Sequence, residues 1–140
     1  MAGLLIMLVT LCVGYVVADK EIVYLPPDKL TIVLQSAMLC IGETGVSADV
    51  LIEYRSGKEF GTDKTFQKFI NCILSKSGYA DESGHIKIEK ALEIFPKNVD
   101  KDSIRKVILE CNRENGSDPA ETSFKFAKCF RQKAPVKIVI

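Results

Sequence analysis

The apolar residues after position 18 recur at the spacing of a helix, and no segment alternates apolar and polar residues as a strand does. The clearest segment begins at Asp63 and is closed by Gly78, a residue type that often ends helices. Its apolar positions follow the intervals i, i+3, i+4 and i+7: Phe66, Phe69, Ile70 and Ile73. This pattern predicts a helix with one buried face.

Five further segments show the same periodicity. The residues expected to cap or open them are Asp28, Ser47, Ile88, Asp100 and Asp118. The residues expected to end or lie just beyond them are Gly42 with Gly45, Gly57, Pro96 and Gly116. In the first helix the apolar stripe consists of Leu30, Leu34, Ala37, Met38 and Ile41. Six helices this short predict an all-α domain in which the helices cross in a compact array, since a long up-and-down bundle needs longer ones.

The chain ends in a tail, residues 134–140, whose only charged residue is Lys137. Its apolar residues are Val136, Ile138, Val139 and Ile140. Exposing this apolar set to water would be unfavourable, so we expect several of its members to pack over the domain.

Residues 1–18 have a different composition, with no charged side chain and an almost unbroken apolar run. Val16 and Ala18 place small residues at positions −3 and −1 of a cleavage site before Asp19. The run lacks the basic start of a typical signal peptide. A membrane anchor, the alternative, needs about 20 apolar residues and usually a basic flank. We therefore predict a secretory signal peptide over residues 1–18 and one secreted, extracellular domain over residues 19–140.

Charge excludes some classes of partner. All 19 basic and all 18 acidic residues follow residue 18, so the net charge of the predicted domain is +1. Binding to nucleic acid or to a membrane surface would require an excess of basic residues, and neither is predicted. The sequence does not determine an oligomeric state.

Four cysteines lie in the predicted domain, and Cys12 lies in the predicted signal peptide. The four are Cys40, Cys72, Cys111 and Cys129. An even number in a short exported domain predicts two disulfides, for which three connectivities exist. A zinc site is the alternative, but the sequence has no CxxC pair and only one histidine, His85. No metal or other cofactor is predicted.

A search for catalytic motifs gives no support to an enzyme. The chain has no GxSxG or HExxH sequence, and His85 alone would have to serve any acid–base scheme. His85 lies in a polar turn, where a hydrated side chain is the simpler interpretation. The same turn has part of a calcium-loop pattern, but Tyr79 and Lys90 would occupy positions that need carboxylates. Residues 115–117 form a glycosylation sequon, which we interpret instead as a helix ending followed by a cap.

The cysteine spacing carries a family resemblance. Gaps of 31, 38 and 17 residues separate the four cysteines. Insect odorant-binding proteins have six cysteines, with three residues between the second and third and eight between the fifth and sixth. This chain resembles that series with the second and fifth members missing, at Lys68 and Ala120, and so resembles the four-cysteine, or minus-C, subgroup. Chemosensory proteins also have four cysteines, but two of their gaps are very short.

The resemblance implies a fold and a function. It pairs Cys40 with Cys72 and Cys111 with Cys129, giving a six-helix, disulfide-braced domain that encloses an apolar pocket, with the tail folded over its mouth. It implies a secreted carrier of small hydrophobic molecules such as odorants or pheromones, with a membrane olfactory receptor as a further partner.

A pocket of this kind would place apolar residues and two tyrosine hydroxyls against the ligand. The candidates are Leu34, Met38, Tyr54, Phe69, Ile73, Tyr79, Leu92, Phe95, Ile108, Phe126, Phe130 and Ile138. Periodicity alone cannot distinguish a filled core from a lined cavity. Two alternatives remain: a carrier of non-odour lipids in another secretion, and a disulfide-braced signalling or scaffold protein without a pocket.

Overall fold

The computed structural model describes residues 19–56, 58 and 63–139. Along the chain its elements are β1 (Glu21–Tyr24), α1 (Pro27–Thr44), α2 (Ala48–Arg55), α3 (Lys64–Lys76), α4 (Ile88–Leu92), α5 (Lys101–Cys111), α6 (Pro119–Lys133) and β2 (Val136–Val139). The predicted helical class with six helices is confirmed. The predicted signal peptide (residues 1–18), the helix end at Gly57 and the final tail residue Ile140 lie outside the described residues.

Four of the helices begin at the polar residues that the sequence predicts. The side chains of Ser47, Asp63, Asp100 and Asp118 each accept a hydrogen bond from a backbone N–H in the first turn of α2, α3, α5 and α6 respectively. These bonds satisfy donors that have no partner within the helix. The boundaries are therefore set by local chemistry.

The ends of α1 differ from the prediction. Pro26 is the N-cap, and Asp28 lies inside the first turn, where its negative charge favours the helix N-terminus. Gly42, expected to break the helix, lies within it. The helix ends at Gly45, whose φ of 71° places it in the left-handed region.

The buried face of α1 also differs from the predicted stripe. Val33, Ser36 and Cys40 are buried, whereas Leu34 and Met38 are exposed. Apolar residues occur almost all round this helix, so several stripes fit its sequence. The face is fixed by α3, to which the Cys40–Cys72 disulfide ties it.

Two short strands are an unpredicted addition to the helices. β1 and β2 form a parallel pair in which Glu21 lies opposite Val136 and Val23 lies opposite Ile138. The tail thus packs on the domain, as expected: Val136 is 5% exposed, and Ile138 is partly buried against two core clusters. Strands of four residues carry too little alternation to be recognised, and their partners lie at opposite ends of the chain.

The interior consists of three apolar clusters. Cluster 1 lies between α4, α5, α6 and the two strands, cluster 2 between α1, α2, α3 and α6, and cluster 3 at the start of α1 beside the turn after α3. Ile73 belongs to clusters 2 and 3, while Leu74, Ile94 and Ile138 belong to clusters 1 and 3. The three clusters are therefore in contact with one another.

The turn between α3 and α4 packs tightly on the start of α6. Gly84 has a φ of 86°, and a Cβ atom there would lie 2.2 Å from the carbonyl oxygen of Pro119. The buried Ser123 hydroxyl also donates to the Gly84 carbonyl oxygen at 2.9 Å. Only glycine satisfies both the backbone conformation and the close approach.

Candidate ligand-binding site

Cluster 1 brings together half of the predicted ligand contacts. Leu92, Phe95, Ile108 and Phe126 are buried in it, and Phe130 and Ile138 are partly buried against it. The rings of Phe126 and Phe130 are stacked with centroids 5.9 Å apart, and the Phe95 ring lies 6.4 Å from that of Phe130. Three aromatic rings and several aliphatic side chains thus face a common apolar interior.

Cluster 3 adds a polar group to this interior. Tyr79 is 6% exposed and packs with the buried Leu25 and Val33. Ile138 of β2 contacts this cluster and cluster 1, so Tyr79 lies beside the apolar interior just described. Ile73, another predicted contact, is partly buried at the junction of clusters 2 and 3.

The electrostatic surroundings of Tyr79 keep its phenol protonated. Burial, and then the negative charges of Glu93 and Asp28, raise the pKa of the Tyr79 phenol above its usual value. Such a hydroxyl is a hydrogen-bond donor throughout the physiological pH range.

Two other predicted contacts, Tyr54 and Phe69, belong to cluster 2. The Tyr54 ring lies 5.0 Å from that of Phe66, and the Arg131 guanidinium lies over it at 4.6 Å from the ring centroid. The contact with Arg131 is a cation–π interaction that fastens the end of α6 to α2. Tyr54 is thus part of the packing between helices, in a different cluster from Tyr79.

Leu34 and Met38 are not brought together with the other predicted contacts. They are 46% and 74% exposed on the outer face of α1. Their inward counterparts on this helix are Val33 and the partly buried Leu30, which pack in cluster 3.

Sequence reasoning missed Leu74 and Ile94, which join clusters 1 and 3. Leu74 could have been found, because it lies four residues after Ile70 and continues the stripe of α3. Ile94 follows the end of α4, where helical periodicity no longer applies.

Two disulfides brace this interior. Cys40 pairs with Cys72 between α1 and α3, and Cys111 pairs with Cys129 between α5 and α6. These are the pairs that the family resemblance implies. Cys111 and Cys129 are members of cluster 1, so the second disulfide forms part of its wall.

The only histidine lies away from this interior. Its Nδ1 atom is 2.7 Å from the Ser83 hydroxyl, and its Nε2 atom is 2.9 Å from Oδ1 of Asn115. His85 is thus half-buried and bonded on both sides, where the sequence suggested simple hydration. Asn115, the sequon residue, also donates to the Arg113 carbonyl. Hydrogen bonds from Ser83 lead the interactions that lower the pKa of the neighbouring Asp81 carboxyl.

Other surface features suggest different chemistry from that of an apolar ligand site. A depression of about 360 Å³ is lined by Ser75, Ala80, Asp81, Glu82 and Lys87, most of which are polar or charged.

Within the described ranges, no group of three or more His, Cys, Asp or Glu side chains is arranged to hold a metal ion. Among the same residues, no helix has both the length and the apolar character needed to cross a membrane.

The fold and its interior define a class: a small helical domain, braced by two disulfides, with an aromatic-rich core. The profile of the PBP/GOBP family matches residues 25–133. The chain therefore belongs to the PBP/GOBP family.

Individual relatives agree with this assignment. General odorant-binding protein 69a of Drosophila melanogaster is 25% identical over 114 residues, which are 81% of this chain and 76% of the relative. The crystal structure of the medfly odorant-binding protein CcapOBP22/CcapOBP69a is 28% identical, with a TM-score of 0.61, covering 74% of this chain and 88% of that one. Odorant Binding Protein 7 from Anopheles gambiae, with four disulfide bridges and in complex with an azo compound, is 26% identical, with a TM-score of 0.64, covering 76% and 86%.

Proposed function

We propose that this chain is a secreted, non-enzymatic carrier of small hydrophobic molecules, and that odorants or pheromones are among its ligands. The observation that carries the proposal is the meeting of clusters 1 and 3, where stacked aromatic rings, aliphatic side chains and one buried phenol share an apolar interior. Apolar walls with a few placed polar groups are typical of sites for small apolar ligands.

The relatives support the same chemistry. The Drosophila relative is named as an odorant-binding protein, and the Anopheles structure holds an azo compound. Transfer of this activity to the present chain rests on family membership and on the apolar interior together. On the same basis we propose that residues 1–18 direct secretion, that residues 19–140 act outside the cell, and that a membrane olfactory receptor is a further partner.

The expected free energy of ligand binding is compatible with a carrier. A ligand that buries about 350 Å² of apolar surface gains about 9 kcal/mol. Association costs of several kcal/mol leave a dissociation constant in the micromolar range. Affinity of this order allows both uptake and release.

We also place the chain in the four-cysteine subgroup, with Lys68 and Ala120 at the vacant cysteine positions. Two contacts between α3 and α6 near these residues support the alignment. The Lys64 ammonium lies 4.0 Å from the Glu121 carboxylate, and the Ser123 hydroxyl oxygen lies 2.8 Å from Oδ1 of Asn71. Lys68 lies between the two α3 residues, and Ala120 lies one turn or less from the two α6 residues. A bridge at this helix crossing would have tied α3 to α6.

The carrier function is tested by titrating a fluorescent naphthylamine probe into purified residues 19–140. We expect saturable binding in the micromolar range. Phe130→Ala, which removes a ring from cluster 1, should weaken binding several-fold. Leu109→Ala, at an exposed apolar residue of α5, is the matched control and should leave affinity unchanged.

Absence of saturable binding to the wild-type protein would favour the scaffold alternative. A ligand panel and the tissue of expression then distinguish an odorant carrier from a carrier of other lipids.

A further inference from the structure

The connection between α5 and α6 contains the one N-glycosylation sequon of the sequence, formed by Asn115, Gly116 and Ser117. From the sequence alone this segment was interpreted as a helix ending. The structure shows otherwise, because α5 ends at Cys111 and its C-cap is Asn112. The sequon therefore lies in a loop, beyond the end of one helix and before the N-cap of the next.

The two side chains that define the sequon are accessible. Asn115 and Ser117 are both exposed in this loop. Asn112, three residues earlier, is half-buried, and its side chain both accepts from the Ile86 N–H at 2.8 Å and donates to the Ile86 carbonyl at 2.9 Å. Asn112 is thus part of the folded framework, whereas Asn115 lies at the surface, where sequons are used in exported proteins.

The hydrogen bonds of the Asn115 side chain are compatible with a sugar on its nitrogen. Its Oδ1 atom lies 2.9 Å from Nε2 of His85, and its Nδ2 atom donates to the Arg113 carbonyl at 3.1 Å. Attachment of a sugar replaces one of the two hydrogens on Nδ2 and leaves Oδ1 unchanged. The acceptor for His85 is therefore retained, and the nitrogen keeps one hydrogen to donate.

The backbone at the sequon is held by α6. The Lys125 ammonium donates to the Asn115 carbonyl at 3.0 Å, and the Gly116 N–H donates to the Thr122 hydroxyl at 2.9 Å. The side chains beside Asn115 are polar, in contrast to those of the three apolar clusters. The attachment point is therefore fixed in one place on a polar surface loop, outside the apolar interior.

We infer that Asn115 carries an N-linked oligosaccharide in the exported protein. The inference rests on the proposed secretion, since this modification takes place on chains that enter the secretory pathway. In the reaction, Nδ2 of Asn115 attacks the anomeric carbon of an oligosaccharide carried on a lipid diphosphate. A bond forms between that nitrogen and the carbon, the bond from the carbon to the diphosphate oxygen breaks, and Nδ2 loses a proton.

The position of the glycan has a consequence for ligand binding. A glycan is bulky and hydrated, so it adds polar surface where it is attached. Asn115 contacts His85 and Lys125, whereas the proposed ligand site lies at the meeting of clusters 1 and 3. The glycan should therefore leave the affinity for an apolar ligand unchanged.

The experiment expresses residues 1–140 in insect cells and analyses the secreted protein by intact mass and peptide mapping. Both measurements are repeated after treatment with a peptide N-glycosidase that accepts insect glycans. Treatment in heavy-oxygen water labels the aspartate that the enzyme leaves at position 115, which spontaneous deamidation during storage does not. A second version carries a secretory signal of established function in place of residues 1–18, so that glycosylation is tested whether or not residues 1–18 direct secretion.

We expect a mass excess of one glycan, located on Asn115 and removed by the enzyme. Ser117→Ala keeps the Asn115 amide but abolishes the sequon, so the mass excess should disappear. Ser117→Thr retains the hydroxyl and should keep the mass excess. Asn98→Gln, at an exposed asparagine outside any sequon, is the matched control and should also keep it. Enzymatic removal of the glycan should leave the affinity for the naphthylamine probe unchanged.

An unmodified protein secreted from the second version would overturn the inference, as would a glycan that persists in Ser117→Ala. A change in probe affinity on removal of the glycan would contradict its placement outside the apolar interior. Failure of residues 1–18 to direct secretion, with a glycan on Asn115 in the second version, would refute the proposed signal peptide and still support the glycosylation site.

Discussion

The contribution of the C-terminal strand can be tested by deleting residues 135–140. Val136 is 5% exposed in cluster 1, and Ile138 and Val139 are partly buried. Full burial of a valine contributes about 2 kcal/mol, and the two partly buried side chains add about 1 kcal/mol together. Deletion should therefore lower the free energy of unfolding by about 3 kcal/mol. For a domain of this size, that corresponds to a fall in melting temperature of roughly 10 °C.

The same deletion should weaken ligand binding, because Ile138 contacts both cluster 1 and cluster 3. Thermal unfolding followed by far-ultraviolet circular dichroism measures the stability change, and probe titration below the transition measures affinity. Ile138→Ala keeps the strand pairing and should reproduce part of both losses. Lys137→Ala, at an exposed residue of the same strand, should change neither.

The outcome that would refute this reasoning is a truncated protein with wild-type melting temperature and wild-type affinity. It would mean that the tail is dispensable and that its packing contributes nothing measurable. A loss of stability with unchanged affinity would separate the structural role of β2 from any role as a wall of the site.

Three further predictions concern single contacts. The double change Lys68→Cys with Ala120→Cys should form a third disulfide and raise the melting temperature. The disulfide would be seen by mass spectrometry as the loss of two hydrogens. If no cross-link forms, the two Cα atoms lie beyond about 7 Å and the alignment is wrong. Ser77 has a buried hydroxyl with no hydrogen-bond partner among the described residues. Ser77→Ala should therefore raise the free energy of unfolding, measured by urea denaturation, by about 0.5–1 kcal/mol. A loss of stability would show that the hydroxyl has a partner. Hydrogen bonds from Ser117 hold the pKa of the Glu121 carboxyl at about 2, below the usual 4.5 of a glutamate. A lowered folded-state pKa stabilises the protein above the unfolded pKa, and this contribution is lost as the pH falls towards the folded value. Glu121→Gln should therefore lower the melting temperature at neutral pH, and its difference from the wild type should close between about pH 4.5 and pH 2; a constant difference across that range would contradict the assignment.

The helix starts could be predicted because they depend on neighbouring residues. Asp63 and Asp118 satisfy backbone donors only a few positions away, so their side chains mark the starts of α3 and α6 wherever those helices pack. The disulfide pairing could be inferred from the family resemblance, because the cysteine spacing that carries the resemblance is visible in the sequence. Phe126 and Phe130 were found because they lie on the apolar face of α6, whereas Phe95, expected in the fourth helix, lies in the turn after α4 ends at Leu92.

The sequence could not decide which face of α1 is buried. Its apolar residues surround the helix, so Leu34 and Met38 fit an inward stripe as well as Val33 does. Only the docking of α3 and the Cys40–Cys72 disulfide select between them. When apolar residues surround a helix, the elements packed against it determine which face is buried.

Strand pairing and the choice between the two tyrosines were also decided by the tertiary structure. β1 and β2 are too short for a recognisable alternation, and each is stabilised by the other from the far end of the chain. Tyr54 and Tyr79 look equivalent in sequence, yet one packs under Arg131 and the other is buried among aliphatic side chains. Local chemistry sets where helices begin, whereas the burial of a side chain depends on residues distant in the chain. The helix starts could therefore be derived from the sequence, whereas the buried face of α1, the strand pairing and the surroundings of each tyrosine required the fold.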